Sequence, residues 1–302
     1  MKWSIFLTFS LFIAGSLALT SNSDIPNVVE KEKLILLGES LFYDPILSKN
    51  QTISCASCHL SSHSFADTLP FSKGMEGHTL RNTPALINIS KRNGEFNWDG
   101  KFNTIESQVL HAIQNPLEMG SDLKELEARL DLPGSFPENV VNALAAFIQT
   151  LDYQDSKYDR VMRGEENFTL AEERGWAIFF DAVEFLPKGE CSHCHTDPLF
   201  SSEKYFNNGL DSKFEKDKGR GGVTGNPIEV GMFRTPSLRN IELTAPYMHD
   251  GRFKTLEEVV KHYNTGGKLS FNANANILPL NLSWQDQVDL IEFLKTLTDK
   301  HL

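Results

Sequence analysis

The chain has 302 residues, of which 40% are hydrophobic and 23% are charged, and it contains 20 glycines. This composition is ordinary for a globular protein and excludes collagen-like, disordered and polytopic membrane classes. The length favours two domains over one, because a single hydrophobic core rarely serves more than about 250 residues. Forty acidic against 29 basic residues give a formal net charge of -11, which argues against nucleic acid as a partner.

The first segment has the pattern of an export signal. Lys2 precedes an apolar run from Ile5 to Leu19, and polar residues follow that run. The run is short for a membrane span, so we expect a signal peptide over residues 1–20, with an uncleaved anchor as the alternative. The expected location of the mature chain is therefore the periplasm.

Four segments with apolar residues at helical spacing predict helices, whereas strand patterns are scarce. In chain order the segments are Lys33–Phe42, Pro137–Leu151, Leu170–Phe180 and Ser283–Leu297. Pro137 suits the first position of its helix, and Ser283 is a natural N-cap for the last helix. The sequence therefore predicts an all-α protein with long loops.

All four cysteines lie in two Cys-x-x-Cys-His motifs. Cys55, Cys58 and His59 form the first motif, and Cys191, Cys194 and His195 form the second. This pattern is typical of c-type haem attachment, in which two thioethers hold the porphyrin and the histidine ligates the iron. A redox-active dithiol and a zinc site shared by both motifs are the alternatives.

The order of helix, haem motif, loops and closing helix occurs twice along the chain. We therefore expect two cytochrome c-type domains, each around one covalently bound haem, over residues 21–151 and 170–302. A charged linker over residues 152–169 would join them. The glycine-rich stretch Gly219–Gly222 matches no complete phosphate-binding fingerprint and is expected to be a surface loop.

The sixth coordination position of each iron decides the chemistry of a haem protein. For the first haem, the residues alone leave several candidate ligands open, namely His63, His78, His111, Met75 and Met119, beside the polar Gln108 and Glu118. An open iron beside one carboxylate suits peroxide, because the carboxylate can take a proton from one oxygen and give it to the other.

Six segments, in this order, resemble the bacterial dihaem cytochrome c peroxidase and MauG family. They are ISCASCH at 53–59, RNTP at 81–84, WDG at 98–100, NPLEMG at 115–120, FRTPSLRN at 233–240 and APYMHDG at 245–251. The resemblance extends over nearly the whole mature chain. It implies an N-terminal haem that reacts with hydrogen peroxide and a C-terminal haem that receives electrons and passes them on.

The resemblance also implies roles for individual residues. His59 and His195 correspond to the proximal ligands, and Glu118 to the catalytic acid and base. Gln108 corresponds to a second distal residue, and Trp98 to the tryptophan between the haems.

Three further positions, Asn82, Thr244 and Pro246, match those that hold a calcium ion at the domain interface in the family. Pro246 would bind through its carbonyl oxygen. Oxygen donors of this kind suit a hard cation.

Two positions depart from the pattern of many peroxidases in this family. His78 is the nearest match to the histidine that ligates the resting N-terminal iron, but it lies only three residues before Arg81, so the match needs a gap. Tyr263 stands where those peroxidases have a ligating methionine and where MauG has tyrosine. Phenolate favours ferric iron over ferrous iron and should lower the haem potential. His262 and Met248 are the reserve ligands.

The expected function is reduction of hydrogen peroxide with electrons from a small cytochrome c or a cupredoxin. A MauG-like oxidase of a protein substrate is the first alternative, and a dihaem electron-transfer cytochrome is the second. Because family members are often dimers, a homodimer is a further expectation.

Overall fold

The computed structural model describes residues 24–92, 94–130 and 136–301. Helices dominate this part of the chain, in agreement with the predicted class. The helices are α1 (Asp24–Tyr43), α2 (Ile105–Gln114), α3 (Leu123–Leu130), α4 (Glu138–Ile148), α5 (Lys157–Met162), α6 (Leu170–Phe179), α7 (Arg220–Thr224), α8 (Leu256–Asn264) and α9 (Trp284–Lys295). Strands β1 (Tyr205–Phe206) and β2 (Phe233–Arg234) form one short antiparallel pair.

All four predicted helices are present as α1, α4, α6 and α9. The largest difference is at α1, which begins at Asp24 rather than Lys33. Helix α9 begins after Ser283, whose hydroxyl accepts a hydrogen bond from the Asp286 amide, as predicted for an N-cap. The sequence therefore located the long helices. The observed first and last residues of these helices differ from the predicted ones, as helix boundaries commonly do.

Two helix pairs cross in the same way, once in each half of the chain. Helix α1 packs against α4, and α6 packs against α9. At the first crossing a Cβ on Gly38 would lie 1.9 Å from the Ala143 carbonyl oxygen. At the second, a Cβ on Gly175 would lie 1.9 Å from the Asp289 carbonyl oxygen. Glycine lets the two backbones approach closely at each crossing.

Each helix pair belongs to its own hydrophobic core. The first core contains Phe42 from α1 and Leu144 from α4, both fully buried. The second contains Phe179 from α6 and Phe293 from α9, which are equally buried. The described residues thus form two clusters of buried side chains, one before and one after residue 152.

Two segments expected to be irregular contain short helices. The stretch treated as a linker includes α5, whose Tyr158 is buried in the second core. The glycine-rich stretch forms α7 instead of a surface loop, and Gly221 is buried there against Val230. Their polar composition concealed these packing contacts, which depend on residues distant in sequence.

No helix of the described residues combines the length and apolar character that a membrane span requires. The expected signal peptide, residues 1–20, lies outside the residues that the structure describes.

Candidate functional site

The first haem motif places its histidine ring in a fixed orientation. Cys55 lies at the start of a 3-10 turn, and the Nδ1 of His59 lies 2.8 Å from the Phe65 carbonyl oxygen. Because that carbonyl can only accept, Nδ1 carries the proton and Nε2 keeps its lone pair. Burial lowers the pKa of His59, so the ring is neutral and suited to ligate iron.

The second motif repeats this arrangement. The Nδ1 of His195 donates to the Phe200 carbonyl oxygen at 2.9 Å, and burial lowers the pKa of His195 as well. Phe65 and Phe200 are both buried and both adopt a positive φ. Each motif therefore ends in a histidine with a free Nε2, anchored by the carbonyl of a buried phenylalanine.

The cysteines do not match the alternative chemistries. Burial raises the pKa of Cys55 and of Cys191 to about 12, which disfavours the thiolate that a redox-active dithiol needs. The first motif lines one cavity and the second lines another. Among the described residues, no cluster of metal-ligating side chains joins the two motifs.

The first cavity has a volume of about 1100 Å³ and is lined by His59 together with Glu118 and Gln108. Glu118 lines it and accepts a hydrogen bond from Asn115 Nδ2 at 2.7 Å. Burial raises the pKa of Glu118, although the Asn115 bond opposes this shift. The Oε1 atom of Gln108 is buried without a hydrogen-bond partner in the described structure.

This cavity fits a haem with a reactive distal side. An unpaired buried oxygen is costly unless a ligand or water satisfies it, and Gln108 belongs to the lining of this cavity. Two thiols and one imidazole nitrogen are the side chains that a c-type haem requires. Glu118 and Gln108 provide the polar groups for a small ligand.

The candidate ligands of the first iron separate into two groups. His111 and Met119 line the first cavity, whereas His63, Met75 and His78 do not. His78 is exposed, in a turn where it pairs with Lys73. The structure thus does not bring His78 to the site for which it was considered.

The second cavity contains Tyr263 together with one of its reserve ligands. Asn208 Nδ2 donates to the Tyr263 hydroxyl at 3.3 Å and to the Met248 sulfur at 3.5 Å. Burial raises the pKa of Tyr263 to about 12. His262 lies outside the cavity lining, and its Nε2 lies 3.0 Å from the Asn208 carbonyl oxygen. Asn208 had no motif to reveal it from sequence.

Trp98 lines the second cavity. It is 8% exposed, its Nε1 donates to the Asn82 carbonyl oxygen at 2.7 Å, and its own carbonyl accepts from the Arg234 amide. Next to it the rings of Phe233 and His249 stack at 3.6 Å, and both residues line both cavities. The sequence indicated Trp98 but not this stacked pair, whose members come together only in the fold.

The three positions matched to calcium all contribute to the lining of the second cavity. Asn82 Nδ2 donates to the Leu69 carbonyl oxygen, which directs the amide nitrogen into the protein. The Thr244 hydroxyl donates to the Ile241 carbonyl oxygen. These residues offer neutral oxygens, one of the ligand types that calcium accepts.

Residues 32–167 match the family described as di-haem cytochrome c peroxidase. The chain is 33% identical to the methylamine utilization protein MauG of Methylorubrum extorquens, over 90% of this chain and 79% of the relative. It is also 33% identical to the cytochrome c551 peroxidase of Nitrosomonas europaea, over 89% of this chain and 81% of that protein.

A solved structure shows the same fold. It is that of a MauG-like protein associated with microbial copper homeostasis, with a TM-score of 0.80, 34% identity, and coverage of 89% of this chain and 90% of that one. The chain belongs to the dihaem cytochrome c peroxidase and MauG family.

Proposed function

We propose that this chain is a periplasmic dihaem peroxidase that reduces hydrogen peroxide to water. A small cytochrome c or a cupredoxin supplies the electrons. As a member of the family the chain is an oxidoreductase, and the family implies two c-type haems. One haem belongs to residues 21–151 and the other to residues 170–302, in accord with the two buried cores.

The observation that supports this proposal most strongly is the pairing of Glu118 with Gln108 in the cavity of His59. Both residues line the same cavity as the first haem motif, Glu118 is half-buried, and Gln108 Oε1 has no partner in the described structure. An electron carrier needs neither group on the distal side of its haem. A peroxidase needs a base for one oxygen and a polar group to orient the other.

The net reaction is H2O2 + 2 e⁻ + 2 H⁺ → 2 H2O. Bound haem supplies the iron that binds peroxide and transfers electrons to it. The Glu118 carboxylate would take a proton from one peroxide oxygen and give it to the other as the O–O bond breaks. Gln108 orients the peroxide through hydrogen bonds. Asn115 holds Glu118 in position through its 2.7 Å bond.

The second cavity is proposed as the electron-receiving site. His195 and Tyr263 would be the axial ligands of its haem, with Asn208 holding the tyrosine hydroxyl. Trp98, which lines the second cavity and bonds to the Asn82 carbonyl oxygen, would help electrons to pass between the haems. Asn82, Thr244 and Pro246 would hold a calcium ion where the first half meets the second.

A second candidate function follows from Tyr263. A phenolate ligand stabilises ferric and higher-valent iron, so the second haem could share oxidising equivalents rather than only store electrons. This property suits a MauG-like oxidation of a protein partner. The remaining alternative, a dihaem electron-transfer cytochrome, gives Glu118 and Gln108 no role.

The test is peroxide-dependent oxidation of a reduced small cytochrome c by the purified dihaem protein. Assays should start from both the diferric and the half-reduced states, with Glu118→Gln beside the wild type. Rapid turnover that the variant loses supports the peroxidase, and turnover from the diferric state shows that no protein ligand blocks the first iron. No turnover from either state would reject the peroxidase.

A further inference from the structure

Arg234, on strand β2, is a buried cation to which the proposed mechanism assigns no role. The residue is 6% exposed and contributes to the lining of the second cavity. Its backbone amide donates to the Trp98 carbonyl oxygen, and its side-chain Nε donates to the Asn97 carbonyl oxygen at 3.3 Å. Across residues 24–92, 94–130 and 136–301, neither Nη atom has a hydrogen-bond partner, and no carboxylate lies within ion-pair distance of this guanidinium.

Arg239 shows how the same segment accommodates a buried arginine with a structural role. Its Nη1 lies 2.6 Å from Asp159 Oδ2, and its Nε donates to the Pro198 carbonyl oxygen at 2.8 Å. Arg239 also contributes to the lining of the second cavity, but the protein itself compensates its charge. Arg234 is as deeply buried and lacks such a partner, so packing alone does not account for it.

The nearest charged side chains do not compensate Arg234. Arg92 lines both cavities, its Nε donates to Glu203 Oε1 at 3.0 Å, and its Nη2 donates to the Glu95 carbonyl oxygen at 2.8 Å. Glu203 is thus bonded to Arg92 and acts on Arg234 only from a longer distance. Burial and the nearby Arg92 lower the pKa of Arg234 to about 9, so the guanidinium is still charged at neutral pH.

This arrangement requires an anion from outside the polypeptide. Arginine is rarely buried without a partner, because transfer of an isolated charge from water into a protein interior is costly. A carboxylate matches the guanidinium in charge and shape, since its two oxygens can accept two parallel N–H bonds. The second cavity is the proposed site of a c-type haem, and a haem carries two propionate carboxylates.

We infer that Arg234 binds a propionate carboxylate of the second haem through its Nη atoms. The inference rests on the haem that the proposed function assigns to the second cavity, and it does not depend on peroxide chemistry. The ion pair would fix the orientation of the porphyrin and place a positive charge beside it. Because reduction adds negative charge to the iron centre, a nearby cation favours the reduced haem and raises its reduction potential.

The first test measures the reduction potential of the second haem in Arg234→Gln by spectroelectrochemical titration of the dihaem protein. Glutamine keeps a polar side chain but removes the charge. We expect the potential of the second haem to shift to a lower value, while the first haem keeps its wild-type potential. Arg234→Lys retains the charge and should stay closer to the wild type. An unchanged potential in Arg234→Gln would overturn the inference.

The second test detects the contact itself by resonance Raman spectroscopy, because the propionate bending band responds to hydrogen bonds on the carboxylate. The band should shift in both Arg234→Gln and Arg234→Lys, since neither side chain reproduces the paired bonds of a guanidinium. A lower potential without a band shift would mean that Arg234 acts only through its distant charge, and would overturn the inference. If Arg234→Gln does not fold, the band of Arg234→Lys decides alone.

Arg163→Gln is the control, because Arg163 is 44% exposed and pairs with Asp155 and Glu165 at the surface. It should leave the potential and the band unchanged. The outcomes also separate this inference from the proposed function. A purified protein with the mass of only one bound haem, at the first motif, would reject the second haem and the anchor together. A dihaem protein without peroxide turnover would reject only the peroxidase, because neither measurement uses peroxide.

Discussion

Two side chains in the second cavity are candidate ligands for the iron of its haem. The Tyr263 hydroxyl and the Met248 sulfur both accept a hydrogen bond from Asn208 Nδ2. One amide thus holds the two candidate ligands close to each other. The oxygen favours ferric iron and the sulfur favours ferrous iron, so the choice between them sets the potential of this haem.

Tyr263→Met is expected to raise the reduction potential of the second haem. The change should be on the order of 0.2 V, within the span of roughly 0.8 V that axial ligands cover. Spectroelectrochemical titration of the dihaem protein measures it. Tyr43→Met, at an exposed tyrosine in the first half, serves as the control. An unchanged potential in Tyr263→Met would indicate that Met248 is the ligand.

Glu118→Gln is expected to stabilise the fold at high pH while it removes activity. Burial raises the pKa of Glu118 above its unfolded value, so its contribution to stability is fully present below the unfolded pKa. That contribution is lost as pH rises through the folded pKa, where the buried carboxyl must ionise. Glutamine stays neutral and can still accept from Asn115.

Calorimetry at pH 4 and pH 8 tests this expectation. The variant should unfold at a higher temperature than the wild type at pH 8, and the difference should shrink at pH 4. Equal unfolding temperatures at pH 8 would show that the Glu118 carboxyl ionises without cost in the folded protein.

The sequence predicted individual residues where chemistry or a local motif restricts them. The cysteine spacing identified both haem motifs, and Glu118, Gln108 and Tyr263 followed from the family resemblance. His78 was considered on sequence order alone, but the turn that contains it directs it to solvent. Asn208 was missed because an isolated asparagine carries no spacing signal.

The two crossings of α1 with α4 and of α6 with α9 are the elements that hold the haem motifs. Gly38 and Gly175 occupy matching places in them, each facing a carbonyl oxygen of the partner helix and a phenylalanine Cβ one turn later. Because the obstruction is backbone, a methyl group at either glycine requires the helices to separate.

Gly38→Ala and Gly175→Ala are each expected to destabilise the protein by about 1–3 kcal/mol, the range for overpacked cores. Chemical denaturation of the dihaem protein measures the loss. Gly222→Ala is the matched control, because the nearest atom to its new methyl group would be Lys218 Cβ at 3.4 Å. Equal stability of Gly38→Ala and Gly222→Ala would contradict the close crossing.

Long helices were predictable because their apolar spacing is local, and their caps follow simple rules. Helix α7 was not predictable from the sequence, because its glycines disfavour a helix. Its formation depends on contacts with residues distant in sequence. Gly221 packs on Val230, and the Arg220 guanidinium bonds to Glu95 at 2.7 Å. Such elements form because tertiary contacts outweigh weak local preference.

At the scale of the whole molecule, contacts between the halves hold the two cavities in one arrangement. The Arg81 guanidinium donates to both oxygens of Asp217, at 2.7 and 2.8 Å, across 136 residues of sequence. The backbone amide of Asn82 donates to the His249 carbonyl oxygen at 2.8 Å, which also joins the two halves. No local pattern predicts pairs this far apart, whereas the two-part organisation itself was visible in the repeated motif.

The reaction of hydrogen peroxide with the half-reduced dihaem protein, without any electron donor, tests the central claim most directly. Stopped-flow absorption should show rapid reaction of peroxide in the wild type. In Glu118→Gln the rate should fall at least about 100-fold, because general acid and base catalysis contributes about 10²–10⁴. A variant that reacts as fast as the wild type, or a wild type that does not react, would contradict the account.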